Sequence, residues 1–267
     1  MKLKSRGEIA SVLLERHGTD YLFIGSSFRQ TTTNESCKIG ILDRPNPRLN
    51  KKGIASSKEL THIQDTSLEL SGQWQRTNFS NNGKLDVVKA IELAGQDKIS
   101  RATLEKIGYC QQIVYLISNN VGYSACLKMA RFAQVFLNIG GIAVNVESAG
   151  IAHEADCWLE RYDSTDVFDI YSLYVGLVET EDFYYSCGMH NFGKADVALE
   201  ISEDVNLAIY VMNVFNYYRL TEYPILQDGH TFKPDIESPS YRIKLIEDSD
   251  RDSPLFNLYG VWHLERC

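Results

Sequence analysis

The most constraining feature of the sequence is an amphipathic run at residues 123–138 that two glycines follow closely. Its apolar side chains recur every three or four residues, the spacing of one helix face: Ala125, Met129, Phe132, Ala133, Phe136 and Leu137. Gly140 and Gly141 are typical of a helix C-terminus, and residues 142–146 then alternate as a strand does. The run therefore predicts a helix packed on a sheet. Hydrophobic residues make up 44% of the 267, near the globular average.

Further periodic runs predict the elements around this unit. Residues 85–93 and 204–219 have helical spacing. Strands are predicted at 9–14 and 21–24 as an N-terminal hairpin, and at 111–117, 169–178, 183–187, 241–246 and 260–264, with 179–182 as the turn of an antiparallel pair. The predicted fold class is α+β, a mostly antiparallel sheet flanked by helices.

Residues 25–84 interrupt this pattern, because they are polar and show no sustained helical or strand period. We expect a long irregular insertion, which is uncommon in compact domains and often functional. The predicted organisation is an N-terminal hairpin with an irregular polar insertion at 1–84 and an α+β core at 85–267, joined in one continuous domain.

A weak internal similarity relates residues 79 positions apart. Phe136 aligns with Phe215, and Gly150 aligns with Gly229. In each copy a helix is followed by a short apolar run and a glycine turn that carries a histidine. This order favours the hypothesis of two related α/β modules packed on one sheet.

The spacing of the cysteines and the hydropathy of the chain indicate the cellular compartment of the protein. The six cysteines form no Cys-x-x-Cys pair, so neither a zinc site nor a disulfide framework is indicated. The apolar stretch at 9–14 is too short for a signal peptide, and no window approaches the roughly 18–20 apolar residues that span a bilayer. We expect a cytoplasmic protein with no membrane partner.

Charge is concentrated in one segment. Residues 154–206 hold thirteen carboxylates and only Arg161 and Lys194 as bases, while the whole chain has a net charge of -8. A nucleic-acid-binding face is expected to be basic, so nucleic acid is disfavoured as a partner. An acidic face suits a basic protein partner, and the alternative is a solvated surface that serves solubility.

Tyrosines are interleaved with these carboxylates, and tyrosine is enriched among the residues that anchor protein interfaces. The alternative is that alternate tyrosines fill one face of a sheet. The residues predicted to bind a partner are Asp163, Asp166, Asp169, Tyr171, Tyr174, Glu179, Glu181, Asp182 and Tyr184.

An enzyme is the competing class, and its best candidate is the run His153-Glu154-Ala155-Asp156-Cys157, with His190 and His230 as remote partners. The run lacks two histidines flanking a glutamate at i and i+4. No Gly-x-Ser-x-Gly elbow and no glycine-rich phosphate loop occurs. We therefore predict no catalytic residue, no metal and no cofactor. Residues 188–193 are expected to form a corner with Phe192 in the core and His190 hydrogen-bonded, and residues 228–231 a tight turn.

Three segments carry a family resemblance. Residues 141–158, Gly188-Met189-His190-Asn191-Phe192-Gly193-Lys194-Ala195-Asp196-Val197 and Leu226-Gln227-Asp228-Gly229-His230-Thr231-Phe232 resemble the bacterial family called domain of unknown function 4261. The resemblance covers about residues 85–265, and its motif residues are Gly188, Phe192, Gly193, Asp228, Gly229, His230 and Thr231. It supplies no catalytic residue to carry over.

The resemblance implies a setting, because such domains occur beside type VI secretion and Rhs-type toxins. We expect a cytoplasmic immunity protein that binds one basic toxin molecule and occludes its active site. Two alternatives stay open: an enzyme with a site of His, Asp and Glu residues, such as a metal-dependent hydrolase, and a protein-binding adaptor unrelated to toxins.

Overall fold

A computed structural model describes residues 4–5, 37–43, 76–78, 81–110, 112–118, 120–138, 140–248, 253 and 256–267. The strands are β1 (Lys4–Ser5), β2 (Cys37–Asp43), β3 (Arg76–Asn78), β4 (Gln112–Ser118), β5 (Gly141–Val146), β6 (Ile151–Glu154), β7 (Gly176–Glu179), β8 (Phe183–Cys187), β9 (Asp196–Glu200), β10 (Thr231–Phe232), β11 (Tyr241–Ile246) and β12 (Val261–Arg266). The helices are α1 (Asn81–Gly95), α2 (Arg101–Gly108), α3 (Tyr123–Asn138), α4 (Ala155–Leu159), α5 (Val167–Tyr174) and α6 (Val205–Thr221).

The described strands form two sheets. One has five strands in the order β3-β4-β2-β5-β6, with every neighbouring pair antiparallel. The other has seven strands in the order β1-β7-β8-β9-β12-β11-β10, of which only the pairs β1–β7 and β9–β12 are parallel. The predicted α+β class with mostly antiparallel pairing is confirmed.

Helices cover both faces of the five-stranded sheet. Successive residues of a strand point to opposite faces. Ala143 accordingly packs with α1 and α2, while Val144 packs with α3 and α5 around the fully buried Trp158. The predicted helix at 123–138 is confirmed as α3, and it buries Met129, Phe132, Ala133 and Leu137 as its spacing requires.

The seven-stranded sheet buries one face against α6. Val211, Met212 and Phe215 of this helix pack on Val197 of β9 and Ile243 of β11. Asp204 begins the helix, since its carboxylate accepts hydrogen bonds from the backbone N–H groups of residues 206 and 207. The predicted strands at 183–187, 241–246 and 260–264 and the turn at 179–182 are confirmed as β8, β11, β12 and the β7–β8 connection.

Two element predictions are wrong. Residues 25–84 contain β2, which pairs with β4 and β5 at the centre of the five-stranded sheet, so this segment is not wholly irregular. Residues 169–178 are not one strand, because α5 occupies most of them before β7 begins. The buried residues of α5 are Ile170, Tyr171, Leu173 and Tyr174, which is helical spacing, and Asp166 caps the helix. The predicted hairpin at 9–24 lies outside the described residues.

The two predicted modules agree only in part. Both β4–α3–β5 and β9–α6–β10 follow the order strand, helix, strand. The offset of 79 residues, however, aligns β5 with the end of α6 and a stretch that forms no strand. His153 lies in β6, whereas His230 lies in the turn before β10.

No helix in the described part of the chain is long and apolar enough to cross a membrane.

Candidate protein-binding surface

One end of the seven-stranded sheet gathers carboxylates from two connections. The β7–β8 turn carries Glu179, Glu181 and Asp182, and the connection from β9 to α6 carries Glu200, Glu203 and Asp204. The connections meet because Phe183 pairs with Glu200 and the Ile201 N–H donates to the Asp182 carbonyl at 2.9 Å. We call these six carboxylates the acidic end.

Few bases neutralise the acidic end among the described residues. Arg266 contacts Glu203, with 3.2 Å between Nη1 and Oε2. Burial, followed by the charges of Glu179 and Asp204, raises the pKa of the Tyr184 phenol, so both connections act on one side chain. The acidic end is therefore a region of negative potential that attracts cations and basic proteins.

Apolar side chains are exposed beside these charges. Ile201 and Val205, on the connection that carries half of the acidic end, each expose 37% of their surface. The β10–β11 connection lies at the same end of the sheet, since Phe232 pairs with Tyr241 and Tyr241 with Arg266. Its Ile236 is 92% exposed. Protein interfaces combine such apolar groups with polar ones.

Three of the predicted binding carboxylates lie elsewhere and have local partners. Asp163 pairs with Arg131 of α3, with 2.6 Å between Nη2 and Oδ1. Asp166 caps α5, where its Oδ1 accepts from the Phe168 N–H at 2.8 Å. Asp169 accepts from Ser164 Oγ at 2.6 Å. These contacts stabilise the segment around α5, so the structure separates these residues from Glu179, Glu181 and Asp182.

The three predicted tyrosine anchors are buried, so that prediction is wrong. Tyr171, Tyr174 and Tyr184 expose 2%, 0% and 7% of their surface. The Tyr174 hydroxyl donates to the Cys126 carbonyl at 2.7 Å and the Tyr171 hydroxyl to Asn213 Oδ1 at 2.9 Å. These rings pack in the core and cannot contact a partner.

The motif residues of the resemblance lie at the opposite end of the same sheet. Gly188 and Gly193 flank a 3₁₀ turn between β8 and β9, and Phe192 is buried in the core of α3 and α5. The predicted corner is therefore confirmed. The tight turn at 228–231 is confirmed as well, because Gly229 has a φ of 85° and Asp228 Oδ1 accepts from the Leu245 N–H at 2.8 Å, while Thr231 begins β10.

A buried polar network behind this corner escaped the sequence analysis, and its centre is Asp196. Asp196 Oδ1 accepts from Ser186 Oγ at 3.0 Å and from the Met189 N–H at 3.1 Å, and Oδ2 accepts from Asn257 Nδ2 at 2.5 Å. All four groups are held inside the protein, and burial raises the pKa of Asp196 to about 6. The network fixes β8, β9 and the start of β12 to one another.

Arg219 extends this network to the helices. Its Nη1 donates to the Ala195 carbonyl at 2.8 Å, and its Nη2 donates to Asn216. Asn216 Nδ2 in turn donates to the Tyr171 hydroxyl at 3.2 Å. Four members of the motif segment, Gly188, Phe192, Ala195 and Asp196, thus have structural roles that need no substrate.

His190 is not the hydrogen-bonded residue that we expected. Both ring nitrogens are shielded from solvent and have no hydrogen-bond partner. Burial lowers its pKa to about 4, and burial also lowers the pKa of His153 to about 4. Both imidazoles are therefore neutral in the folded protein at pH 7.

These shifts predict the acid dependence of stability. Between about pH 4 and 6.5 each histidine binds one proton more in the unfolded chain, so stability falls as pH falls. Asp196 acts in the opposite direction between about pH 4 and 6, because its pKa is raised in the fold. For these three groups together, the net difference of one proton predicts a loss of about 1.4 kcal/mol for each pH unit from 6 to 4. The pKa of His263, which burial also lowers, adds to this loss.

The variant His190→Met isolates one of these histidines. We expect its unfolding free energy to fall by about 1.4 kcal/mol less for each pH unit from 6 to 4 than that of the wild type. We also expect it to be higher than that of the wild type, because two unpartnered polar atoms are removed. Urea unfolding at half-unit pH steps measures both effects. His230→Met, at an exposed turn, should keep the wild-type slope; an unchanged slope in His190→Met would disprove the assignment.

The candidate enzyme run does not assemble into one centre. Glu154 Oε1 accepts from the Ser100 N–H at 2.7 Å, Asp156 is exposed, and His190 and His230 lie apart from the run, at the corner and the turn described above. Among the described residues, no three His, Cys, Asp or Glu side chains are placed to hold a metal ion. Only His153 and Cys157 come into contact.

Comparisons with family models, with curated proteins and with solved structures returned no match.

Proposed function

We propose that this protein binds a basic protein partner through the acidic end, and that the partner is a toxin which it neutralises one to one. The observation that carries the proposal is the convergence of six carboxylates, with exposed Ile201 and Val205 among them, at one end of the seven-stranded sheet. Such a surface offers long-range attraction and short-range apolar contact together.

The negative charge of the acidic end suits the task of an immunity protein. A toxin inside the cell must be bound before it acts, so a fast association rate matters as much as a tight complex. Opposed charges raise association rates well above the 10⁵–10⁶ M⁻¹s⁻¹ of neutral pairs at low salt. Ile201, Val205 and Ile236 supply the apolar area that slows dissociation once water is excluded.

The toxin part of the proposal is supported by the resemblance to domain of unknown function 4261. The motif residues of that resemblance lie at the corner beside the Asp196 network and in the turn at 228–231. The acidic end lies at the opposite end of the sheet and outside the motifs. The proposed binding surface is therefore separate from the motif residues.

Charge reversal tests the surface. The triple variant Glu179→Lys, Glu181→Lys and Asp182→Lys is expected to lower the association rate with the partner by about 10–100-fold and to remove most of its salt dependence. The rate is measured by stopped-flow mixing at several salt concentrations, with the product of the adjacent upstream gene as the partner.

The control is a triple with the same change in net charge at a different place. Glu92, Glu105 and Glu160 are exposed and lie on α1, on α2 and just after α4. Their replacement by lysine should alter the rate no more than a few-fold. Equal effects of the two triples would show that net charge, and not the acidic end, governs association.

A further inference from the structure

A cleft lies where the end of α1 meets α5, α6 and the strands β6 and β7, and its volume is about 260 Å³. Gly176, at the start of β7, lines the cleft, whereas Glu179 of the acidic end lies at the other end of that strand. The cleft and the acidic end are therefore separate. The volume is just below the roughly 300–1,000 Å³ of pockets for drug-sized ligands, so the cleft suits a smaller molecule.

Two basic side chains, Lys98 and Arg161, line the cleft. Burial lowers the pKa of His153 to about 4, and the charges of Lys98 and Arg161 contribute to that shift, so both cations act on one point of the cleft wall. Arg161 Nη1 donates to the Cys157 carbonyl at 3.1 Å, and Nε lies 3.8 Å from Asp169 Oδ1. Arg161 Nη2 and Lys98 Nζ have no partner among the described residues. These two donors can bind a carboxylate.

Gln96 supplies an acceptor on the same cleft. Its side chain is only 8% exposed, and its Nε2 donates to the Leu177 carbonyl at 3.1 Å. Because a carbonyl only accepts hydrogen bonds, this contact fixes the orientation of the amide. Gln96 Oε1 then has no donor within the described part of the chain. A buried acceptor without a donor is unfavourable, so this atom indicates a ligand that donates a hydrogen bond.

Asp169 adds a negative charge to the cleft wall. Its Oδ2 accepts from Ser164 Oγ at 2.6 Å, and its Oδ1 faces Arg161 Nε. A carboxylate has about four lone-pair sites, so Asp169 can accept a further hydrogen bond. The cleft thus offers groups that suit a negative charge and groups that suit a positive one.

The rest of the cleft wall is largely apolar. Ala94, Ile151 and Ala152 are buried residues that line it. Phe168 lines it as well and is 40% exposed, while its ring packs on Tyr171 with 5.5 Å between centroids. An inorganic anion would leave this surface unused, so the wall favours a ligand with an apolar body.

We propose that this cleft binds a free amino acid with an apolar side chain. The carboxylate of the amino acid binds Arg161 and Lys98, its ammonium group donates to Gln96 Oε1 and Asp169, and its side chain packs on Phe168. A simple carboxylate would leave Gln96 Oε1 without a donor, and a simple amine would be repelled by the two cations. An amino acid matches both kinds of group at once.

The test is direct binding of amino acids to the full chain, and it needs no partner protein. Each L-amino acid is added at millimolar concentration and the rise in Tm is recorded, because a ligand of the native state stabilises it. Isothermal titration calorimetry then gives the Kd. We expect at least one amino acid with an apolar side chain to bind, and acidic and basic ones to leave the Tm unchanged. Absence of binding by every apolar amino acid would overturn the proposal.

Two analogues of the amino acid that binds most tightly test its charged groups. One analogue lacks the amino group, and the other lacks the carboxylate. We expect each to bind at least about tenfold more weakly, because hydrogen bonds to charged groups are lost. If the analogue without the amino group binds as tightly as the amino acid, Gln96 Oε1 and Asp169 receive no ammonium group and the assignment is wrong.

Arg161→Gln and Lys98→Met test the binding of the carboxylate. We expect Arg161→Gln to raise the Kd about tenfold and Lys98→Met to raise it a few-fold. Arg131→Gln is the matched control, because it removes an arginine from an Arg–Asp pair outside the cleft, and it should leave the Kd unchanged. Lys98 is exposed, so Lys98→Met decides the matter if Arg161→Gln lowers the urea midpoint. A wild-type Kd in the folded cleft variants would overturn the proposal.

Discussion

Asp196→Ala is expected to lower the free energy of unfolding by about 3–5 kcal/mol. The substitution leaves three buried donors without an acceptor, namely Ser186 Oγ, the Met189 N–H and Asn257 Nδ2. It also removes a negative charge that acts on the buried Arg219, whose pKa is lowered to about 10 by burial and raised in part by Asp196. Each unpaired buried polar group costs about 1–3 kcal/mol.

Equilibrium urea unfolding measures this loss. Asp182→Ala is the matched control, because the same carboxylate is removed from an exposed position, and its effect should stay within about 0.5 kcal/mol. Similar small effects for both variants would mean that Asp196 does not hold the corner between β8 and β9.

Gly188→Ala is expected to cost about 3–5 kcal/mol. Gly188 has a φ of 127°, which side chains rarely adopt, and a Cβ at this position would lie 2.0 Å from the Tyr174 carbonyl oxygen. Tyr174 is fully buried at the end of α5, so the backbone cannot retreat without disturbing the core of α3 and α5.

Gly229→Ala provides the comparison. Its φ of 85° imposes the same kind of backbone strain, but no atom lies within 4 Å of the added Cβ. We expect a loss of about 1 kcal/mol, measured as the shift of the urea midpoint. Equal losses at the two glycines would show that backbone strain, and not the contact with Tyr174, sets the cost.

The elements that were predicted well are those with a local signal. Residues 123–138 and 204–219 carry helical spacing and terminal residues that mark their ends, and both appear as α3 and α6. The strand β2 was missed because its partners β4 and β5 are distant in sequence. The only local indication of this strand is the alternation of Ile39 and Ile41 within Cys37–Asp43.

The α5 region shows how composition misleads. Residues 169–178 are rich in aromatic and β-branched side chains, which favour strands. The four buried positions nevertheless follow helical spacing, and Asp166 supplies the N-cap. The cap and the spacing were visible in the sequence, so periodicity was the better guide here.

The sequence predicts that the candidate site is negatively charged, but it does not predict which residues form it. The number of carboxylates identifies the acidic segment. It does not distinguish Asp196, which is fully buried, from Asp182, which is exposed. The sequence does not indicate that Tyr171 and Tyr174 are buried, because their burial depends on α3 and α6, which lie elsewhere in the chain. Long-range pairing also decides which carboxylates meet, since Glu200 joins Asp182 only through the β8–β9 register.

Under the proposed function, the two ends of one sheet have different roles. The end that carries the motif residues is fixed by the Asp196 network and by Gly188, which are costly to alter. In the acidic end, Glu203 pairs with Arg266 and Asp204 caps α6, whereas the exposed Glu181, Asp182 and Glu200 make few contacts that the fold requires. Charge changes there should affect binding with little effect on stability.

The most direct test of the proposed function is co-expression of the full chain with the product of the gene immediately upstream, followed by copurification and a count of surviving cells. We predict that the neighbour is lethal alone, that the two proteins copurify at one to one, and that the Glu179, Glu181 and Asp182 charge-reversal triple weakens both the complex and the rescue. A harmless neighbour without a complex, or protection well below equivalence, would contradict neutralisation by binding.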